Sequence, residues 1–369
     1  MLCVSEPEVA DPVKLLHVSI GSTQVGRLVL TPEGIAAFEY NGEFLKSGFS
    51  ISPFQLPLKP GLFIAEREPF EGNFGVFNDS LPDGWGNFIL VRYLASQGIS
   101  MQSLSLLDRL SLVGSNGMGA LEYSPQQTIQ TATDTNDLNF LANEVKKVLT
   151  QPTYSEHLKL LVEKGGAPGG ARPKVIISQN KSSWIVKFPG PNNPLDVGMQ
   201  EFVNSKVASK CGVVMPPTRL FESKYFGVKR FDMHNQDRIH MLTASGLLNA
   251  SHLNPSLDYI DLINLTFVLT KNIEDCYRLF RVMVYNVLTG NRNDHSKNFS
   301  FLYKDGEWSL SPAYDLVPNS GVDGNHATTI AGQRIPQAEH LFDVAKQCGL
   351  KSNIVSNILD EVYENCAPI

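Results

Sequence analysis

The feature that most constrains this chain is the passage Thr289-Gly-Asn-Arg-Asn-Asp-His-Ser-Lys-Asn298, followed by Phe299-Ser-Phe-Leu-Tyr303 and by Ser311-Pro-Ala-Tyr-Asp-Leu-Val317. It begins where an amphipathic helix has to stop. Cys276, Leu279, Phe280, Met283, Val284, Val287 and Leu288 recur at three- and four-residue spacing, which predicts a helix over residues 273–288 with these side chains inward. Gly290 is the stop signal, because glycine takes up the left-handed conformation of a helix C-terminus at little cost. A dense polar loop follows, then an apolar run, the turn Lys304-Asp-Gly306, a second short run, and Asp315.

Helix, polar loop, hairpin and acidic residue in this order are similar to the outline of a protein-kinase catalytic core. In such a core a loop Asn and a later Asp hold magnesium, and an Asp five residues before the Asn accepts the proton of the substrate hydroxyl. The resemblance puts Asn298 and Asp315 at the metal and implies ATP and Mg2+ as cofactors. An amide oxygen and a carboxylate are a suitable hard-oxygen pair for magnesium beside phosphates. Counting back five from Asn298 gives Asn293, where Asp is expected. An amide has nearly the size of a carboxylate but is uncharged and is no useful base at neutral pH. Asp294 is adjacent, but its spacing to Asn298 is four, and neighbouring loop residues aim their side chains in different directions. The expectation is an intact ATP site with strongly reduced phosphotransfer. An engineered replacement and a natural pseudokinase would both leave Asn at 293.

Further words narrow the resemblance. Phe77-Asn-Asp-Ser-Leu-Pro-Asp-Gly-Trp-Gly86, Asp108-Arg-Leu110 with Gly117-Met-Gly-Ala-Leu-Glu-Tyr123, and Gly169-Gly-Ala-Arg-Pro-Lys174 stand in order ahead of the loop. Together with Asn293-Asp-His-Ser-Lys-Asn298 and Ser311-Pro-Ala-Tyr-Asp-Leu316 they resemble the HipA family of bacterial serine/threonine kinases, the toxins of type II toxin–antitoxin modules. The likeness covers roughly residues 14–350. It implies an α+β fold: a small β-rich N-terminal domain on a two-lobed kinase-like domain with a β-containing N-lobe and a mainly helical C-lobe. The expected boundaries are a loose tail over residues 1–13, the HipA-type N-terminal domain over 14–123, a polar linker over 124–137 and the kinase-like domain over 138–369.

The resemblance also implies an activity and partners. The γ-phosphate of ATP would pass to a serine or threonine of a cellular protein, with aminoacyl-tRNA synthetases among the family's targets, so that translation and growth stop. The neutralising partner would be a small DNA-binding antitoxin, with operator DNA held mainly through that antitoxin. The alternative is a catalytically impaired form, marked by Asn293, that holds ATP and binds the antitoxin. The net charge of −6 fits DNA contact made by the partner. Five scattered cysteines in no Cys-x-x-Cys pair suggest reduced thiols in a cytosol, and the eight histidines show no ligand spacing. No apolar run approaches the ~20 residues of a membrane span, and the first residues lack the pattern of a signal peptide. A cytoplasmic protein without membrane contact is expected.

Read in order, residues 13–40 should be short strands, 53–69 a proline-rich loop, 86–96 and 103–112 helices, and 118–123 a strand. Asp79, Asp83 and Asp108 read as turn and cap residues rather than metal ligands. The N-terminal words carry no obvious catalytic constellation. Helical patterns follow at 138–149 and 154–164.

The glycine-rich stretch over residues 165–174 suits an anion-binding nest of backbone amides. Gly169, Gly170, Ala171, Arg172, Pro173 and Lys174 are its phosphate-side candidates. The family can carry a phosphorylated regulatory serine in this loop; that position falls on Ala167, and the loop contains no hydroxyl. Residues 175–178 and 183–188 should pair as a hairpin, with Lys187 reaching the ATP phosphates and Trp184, Val186 and Phe188 on the opposite face. A helix over residues 200–210 should bury Phe202, Val203, Val207 and Ala208. Glu201 either pairs with Lys187 or faces solvent. By resemblance, residues 228–231 form the hinge, where Lys229 and Phe231 offer main-chain groups to adenine, and Asp232 reaches the ribose. His295 and Lys297 belong to the segment that lines the ATP site in the family, with His295 favoured for structural hydrogen bonding.

Overall fold

A computed structural model describes residues 12–127, 129, 135–152, 156–253 and 256–366. The chain divides into two compact units: residues 1–198 with 220–238, and residues 199–219 with 239–369. The division does not fall within residues 124–137.

The first unit opens with antiparallel strands β1 (Leu16–Ile20), β2 (Thr23–Leu30) and β3 (Ala36–Tyr40), as the branched and aromatic runs predict. Helix α1 (Phe44–Ser47) and edge strand β4 (Leu62–Ile64) follow. The stretch 53–69, expected to be loop throughout, therefore contains a strand. Leu62 and Ile64 are exposed, so no hydrophobic alternation announces it. Helices α2 (Gly75–Asn78), α3 (Gly84–Ser96) and α4 (Leu106–Val113) precede β5 (Leu121–Ser124), which completes a sheet of order β4-β3-β2-β1-β5. Asp108 lies in a capping box with Ser105 at the start of α4 and also accepts from Val13 N at 2.8 Å. It is a cap, as its sequence context suggests.

Helices α5 (Leu138–Thr150) and α6 (Leu158–Gly165) lead to the hairpin β6 (Lys174–Gln179) and β7 (Ser182–Lys187). Asn180 and Lys181, at the hairpin turn, both have positive φ, the geometry that matches the twist of two adjoining strands. Val186 and Phe188 pack into one apolar cluster with Leu141 and Val145 of α5, Leu161 of α6, and Trp85 and Ile89 of α3. An N-terminal helix thus shares its core with the second sheet, which is why compactness does not break at the polar stretch 124–137.

Helix α7 (Val197–Lys210) crosses from one unit to the other, and β8 (Thr218–Phe221) and β9 (Tyr225–Lys229) extend the second sheet to the order β6-β7-β9-β8. A two-stranded ribbon follows, β10 (Met233–His234) with β11 (Asp237–Arg238). The buried face of α7 differs from expectation. Glu201, Asn204, Ser205 and Ala208 are inward, while Val203 is exposed. Those four follow one helical stripe; Tyr285 Oη donates to the main-chain carbonyl of Asn204 at 3.2 Å, and Ser205 Oγ lies 2.9 Å from Thr218 Oγ1. Glu201 is 3% exposed, which removes the solvent-facing alternative.

The second unit continues with β12 (His240–Thr243), α8 (Ala244–Leu248), α9 (Tyr259–Thr270) and α10 (Ile273–Thr289). Strands β13 (Ser300–Lys304) and β14 (Glu307–Leu310) join β12 in a three-stranded antiparallel sheet. Helices α11 (Ala338–Gln347) and α12 (Ser352–Cys366) close the unit. Cys276, Leu279, Phe280, Met283 and Val284 of α10 are buried as their spacing predicts, but Leu288 is exposed, since the last turn runs out beyond the core. Gly290 caps α10 at φ +68°. Among the described residues no helix is long and apolar enough to cross a membrane.

Candidate active site

In the first unit the site is built around the glycine-rich loop after α6. Gly170 has φ +97°, a conformation that favours glycine, and its N–H donates to Asp83 Oδ1 at 2.6 Å. Trp85 N donates to Gly170 O at 2.9 Å, and Trp85 Nε1 to Lys174 O at 3.0 Å. The backbones approach too closely for side chains. A Cβ on Gly84 would lie 2.5 Å from Gly170 O, and one on Gly86 2.3 Å from Gly166 O. The word Asp83-Gly-Trp-Gly86 therefore clamps the loop, a role that no local signal in the sequence disclosed. Asp83 occupies the N-cap position of α3 yet makes no side-chain cap bond there, so the expected capping role is replaced by the bond to Gly170.

The loop delivers its charges to one face. Lys174 opens β6 and pairs in register with Lys187, the last residue of β7. Residues directly opposite in an antiparallel pair project to the same side, where like charges repel. Both lysines are buried, at 4% and 8% exposure. Lys174 Nζ also donates to Gly169 O, and the Lys187 ammonium stands 5.7 Å from the centre of the Phe226 ring. Arg172 Nε donates to Phe188 O at 3.1 Å, fixing the far end of the loop to β7. Ala171 is exposed, Pro173 buried and Ala167 half-buried. Ala167 lines a small cavity with Pro82, Leu90, Leu112 and Val162.

Lys229 closes β9 opposite Trp184, and Phe231 is half-buried just beyond it. Asp232 sits in a buried network. It is 0% exposed, Arg230 Nη2 donates to its Oδ2 at 2.7 Å and Arg230 Nε to its Oδ1 at 3.0 Å, and Gly119 N adds a bond to Oδ2 at 2.8 Å. Its carboxylate thus lies in a buried ion pair with Arg230. Arg238 donates to Gly119 O and Gly117 O at 2.6 and 2.7 Å. The word Gly117-Met-Gly-Ala120 is thus fastened to the chain that follows β9, again a long-range tie without a local signature.

In the second unit the polar loop is organised by buried amides. Asn286, in the last turns of α10, donates through Nδ2 to Tyr259 Oη at 2.9 Å and accepts from Asn291 Nδ2 at 3.0 Å. Asn291 Nδ2 also approaches Asp315 O at 3.5 Å. Asp294 points inward at 0% exposure. Its Oδ2 accepts from Tyr259 Oη and from His326 Nδ1, both at 2.9 Å, and its Oδ1 from Ala327 N at 3.0 Å and Thr328 N at 3.4 Å. Burial, reinforced by the charge on Asp294, holds the Tyr259 hydroxyl well above its ordinary pKa, so it stays a donor. Asn293, one residue earlier, is exposed.

A single 3-10 turn (Ser296–Asn298) ends the loop. Asn298 Nδ2 donates to Asn293 O at 2.8 Å, which turns the amide so that Oδ1 remains as an oxygen donor. His295 is half-buried with its ring 5.5 Å from that of His252, and its carbonyl accepts from Asn298 N at 2.8 Å. Lys297 is half-buried, and its carbonyl accepts from Tyr314 Oη at 2.6 Å. Asp315 is exposed at φ +58°, a left-handed conformation that is uncommon outside glycine and recurs at functional sites. Among the described residues no three His, Cys, Asp or Glu side chains gather into a self-sufficient metal site. One amide oxygen and one carboxylate fit magnesium that is shared with phosphate oxygens, since this ion keeps few protein ligands.

A glycine-rich loop beside opposed lysines, and a loop Asn followed by an Asp after a hairpin, define a kinase-like scaffold. Residues 16–124 match the HipA N-terminal domain and residues 166–368 the HipA-like C-terminal domain. The chain belongs to the HipA-like family. Two putative kinases of Sinorhizobium fredii are similar to it: Y4dM, 23% identical over 83% of this chain and 77% of its own length, and Y4mE, 24% identical over 97% and 92%. The fold is also that of Shewanella oneidensis HipA, solved in complex with HipB and operator DNA, with a TM-score of 0.71 at 19% identity over 95% of this chain and 88% of that one. The β-rich N-terminal region and mainly helical C-terminal region agree with the architecture expected from sequence.

Proposed function

We propose that this chain is a HipA-type toxin kinase scaffold that binds Mg2+·ATP and is organised to pass the γ-phosphate to a serine or threonine hydroxyl of a cellular protein. The observation that carries this reading is the buried, in-register pair Lys174 and Lys187 beside the glycine-rich loop. The backbone amides of Gly169, Ala171 and Arg172 and the two ammonium groups take phosphate oxygens, while the Gly170 N–H is held by Asp83; main-chain groups of Lys229 and Phe231 take adenine. Asn298 and Asp315 hold the magnesium, with His295 and Lys297 alongside the phosphates. Magnesium, when bound, neutralises charge on the β- and γ-phosphate oxygens. Family resemblance supplies the wider setting: a target such as an aminoacyl-tRNA synthetase, growth arrest, and a DNA-binding antitoxin that carries the operator contact. The Shewanella relative's complex with HipB and operator DNA supports that partnership.

A second reading is favoured by a specific observation. The base position is occupied by the amide of Asn293, and Asp294 is held on both oxygens by Tyr259, His326 and Ala327. No carboxylate of this loop is left to take the substrate proton. In this reading the chain, as an engineered form or a natural pseudokinase, holds ATP and the antitoxin while phosphotransfer is slow. Asn293→Asp, assayed with labelled ATP against cell lysate and scored for growth arrest, separates the two. The expected result is a rise of roughly 10²–10⁴ in phosphotransfer, the span typical of a general base. If the parent chain already matches the Asp variant, residue 293 is not the base.

A further inference from the structure

The last residue of α12 lies against the residue that follows α7. Cys366 Sγ is 3.4 Å from Cys211 Sγ, although 155 residues separate them in sequence. An S–S bond of ~2.05 Å requires roughly 1.3 Å of closure between these atoms. The surroundings hold the two cysteines in place. Cys211 Sγ lies 3.8 Å from Val362 O, Arg281 Nη1 donates to Cys211 O at 2.8 Å, and the same guanidinium binds Glu361 at 2.6 Å. Residues 361, 362 and 366 thus engage the neighbourhood of Cys211 along successive turns of one helix. Cys211 is fully buried, whereas Cys366 is partly exposed and gives a reagent its way in. The other two described thiols behave differently: Cys276 directs its sulfur to Ile263 O at 3.7 Å and Cys348 to Ile260 O at 3.9 Å.

We propose that Cys211 and Cys366 are a redox modification site, closed to a reversible disulfide by a low-molecular-weight disulfide and opened again by a dithiol. In the first exchange the Cys366 thiolate attacks one sulfur of the small disulfide. A mixed disulfide forms and one small thiol leaves. The Cys211 thiolate then attacks the Cys366 sulfur, the intramolecular S–S bond forms, and the second small thiol leaves. Two electrons pass from the cysteine pair to the small disulfide, and the two protons end on the released thiols. Burial, with Cys366 next to it, pushes the Cys211 thiol up to about 12, and Cys366 is raised as well by burial. Both rest as thiols at neutral pH, so closure is slow and follows accumulation of the oxidant rather than its passing presence. The closed form staples α12 to the end of the helix that bears Glu201, and it closes a long covalent loop that restricts the unfolded chain.

The full chain is incubated with excess glutathione disulfide at mildly alkaline pH, blocked with N-ethylmaleimide and digested without reduction. The expected product is a cross-linked peptide containing Cys211 and Cys366, with Cys3, Cys276 and Cys348 alkylated. Its melting temperature should lie a few degrees above that of the reduced protein and return with dithiothreitol. Cys366→Ser should abolish the cross-link and the melting shift together, and Cys211→Ala should do the same. Alkylation of both cysteines after oxidation, a glutathione adduct persisting on Cys366, or a cross-link to a different cysteine would overturn the proposal.

Discussion

Asp83 and Gly170 stand 87 residues apart and are joined by a 2.6 Å hydrogen bond, with the Gly170 N–H donating to the carboxylate. The bond fixes the amide at the centre of the loop assigned to the phosphates. A flexible glycine loop must be ordered before its amides can act as a nest, and this tie supplies part of that order in advance. Asp83→Ala should therefore weaken ATP binding by about tenfold, in keeping with the loss of one charge-assisted bond. Asp83→Asn keeps an accepting oxygen and should recover most of the affinity. Calorimetric titration of the three proteins checks this, and equal affinity for parent and Ala variant would remove Asp83 from the site.

The proposed roles of Lys187 at the phosphates and Asp315 at the metal differ, and their loss should read differently. Lys187→Ala removes a charge-assisted phosphate contact and should lower ATP affinity about 10- to 100-fold with or without magnesium. Asp315→Ala should lower affinity only when magnesium is present, because its carboxylate acts through the metal. Calorimetry in magnesium and in chelator distinguishes them. An Asp315→Ala protein that binds Mg2+·ATP like the parent would end the metal assignment.

The glycine-rich loop holds no hydroxyl, and the family resemblance puts the regulatory serine position at Ala167. Ala167 lines a small cavity with Pro82, Leu90, Leu112 and Val162. Prolonged incubation with ATP should leave residues 165–174 unphosphorylated even in the Asn293→Asp background. Mass spectrometry that maps a phosphate inside this span would refute the prediction.

The parts of the fold that the sequence disclosed are those whose cause is local. The three- and four-residue spacing in α10, its end at Gly290, and the hairpin turn at Asn180 and Lys181 each depend on a few consecutive residues. The loop count that singles out Asn293 is local too. Strand β4 was hidden because it is three apolar residues long, two of them exposed, with no alternation of polar and apolar side chains. The inward face of α7 was misread because its buried stripe contains the polar Glu201, Asn204 and Ser205, which hydrophobic spacing does not mark. The tie of Asp232 to Gly119 was hidden for the same reason, since nothing near Asp232 in sequence names that partner. The clamp of Asp83 and Trp85 on the glycine-rich loop is likewise a meeting of distant backbones.

Asp294 gives the last and sharpest contrast, because its neighbour Asn293 is uncharged and exposed. Asp294 is fully buried and accepts from Tyr259, His326, Ala327 and Thr328, which ties the loop to α9 and to the polar stretch after Leu316. Its main-chain carbonyl also accepts from Thr328 Oγ1 at 2.5 Å. Removing the carboxylate leaves several buried donors without an acceptor, so Asp294→Ala should cost about 3–5 kcal/mol of stability. Asp294→Asn keeps the shape but turns an NH2 toward groups that already donate, and it should also destabilise. Tyr259→Phe deletes one donor to Asp294 and the acceptor for Asn286, and should cost about 1–3 kcal/mol. Asn293→Asp changes an exposed side chain and should move stability by no more than about 0.5 kcal/mol. Urea unfolding of the four variants tests the division between a loop-building carboxylate at 294 and a proton-accepting position at 293. An Asp294→Ala protein as stable as its parent, but unable to transfer phosphate in the Asn293→Asp background, would reverse the two roles.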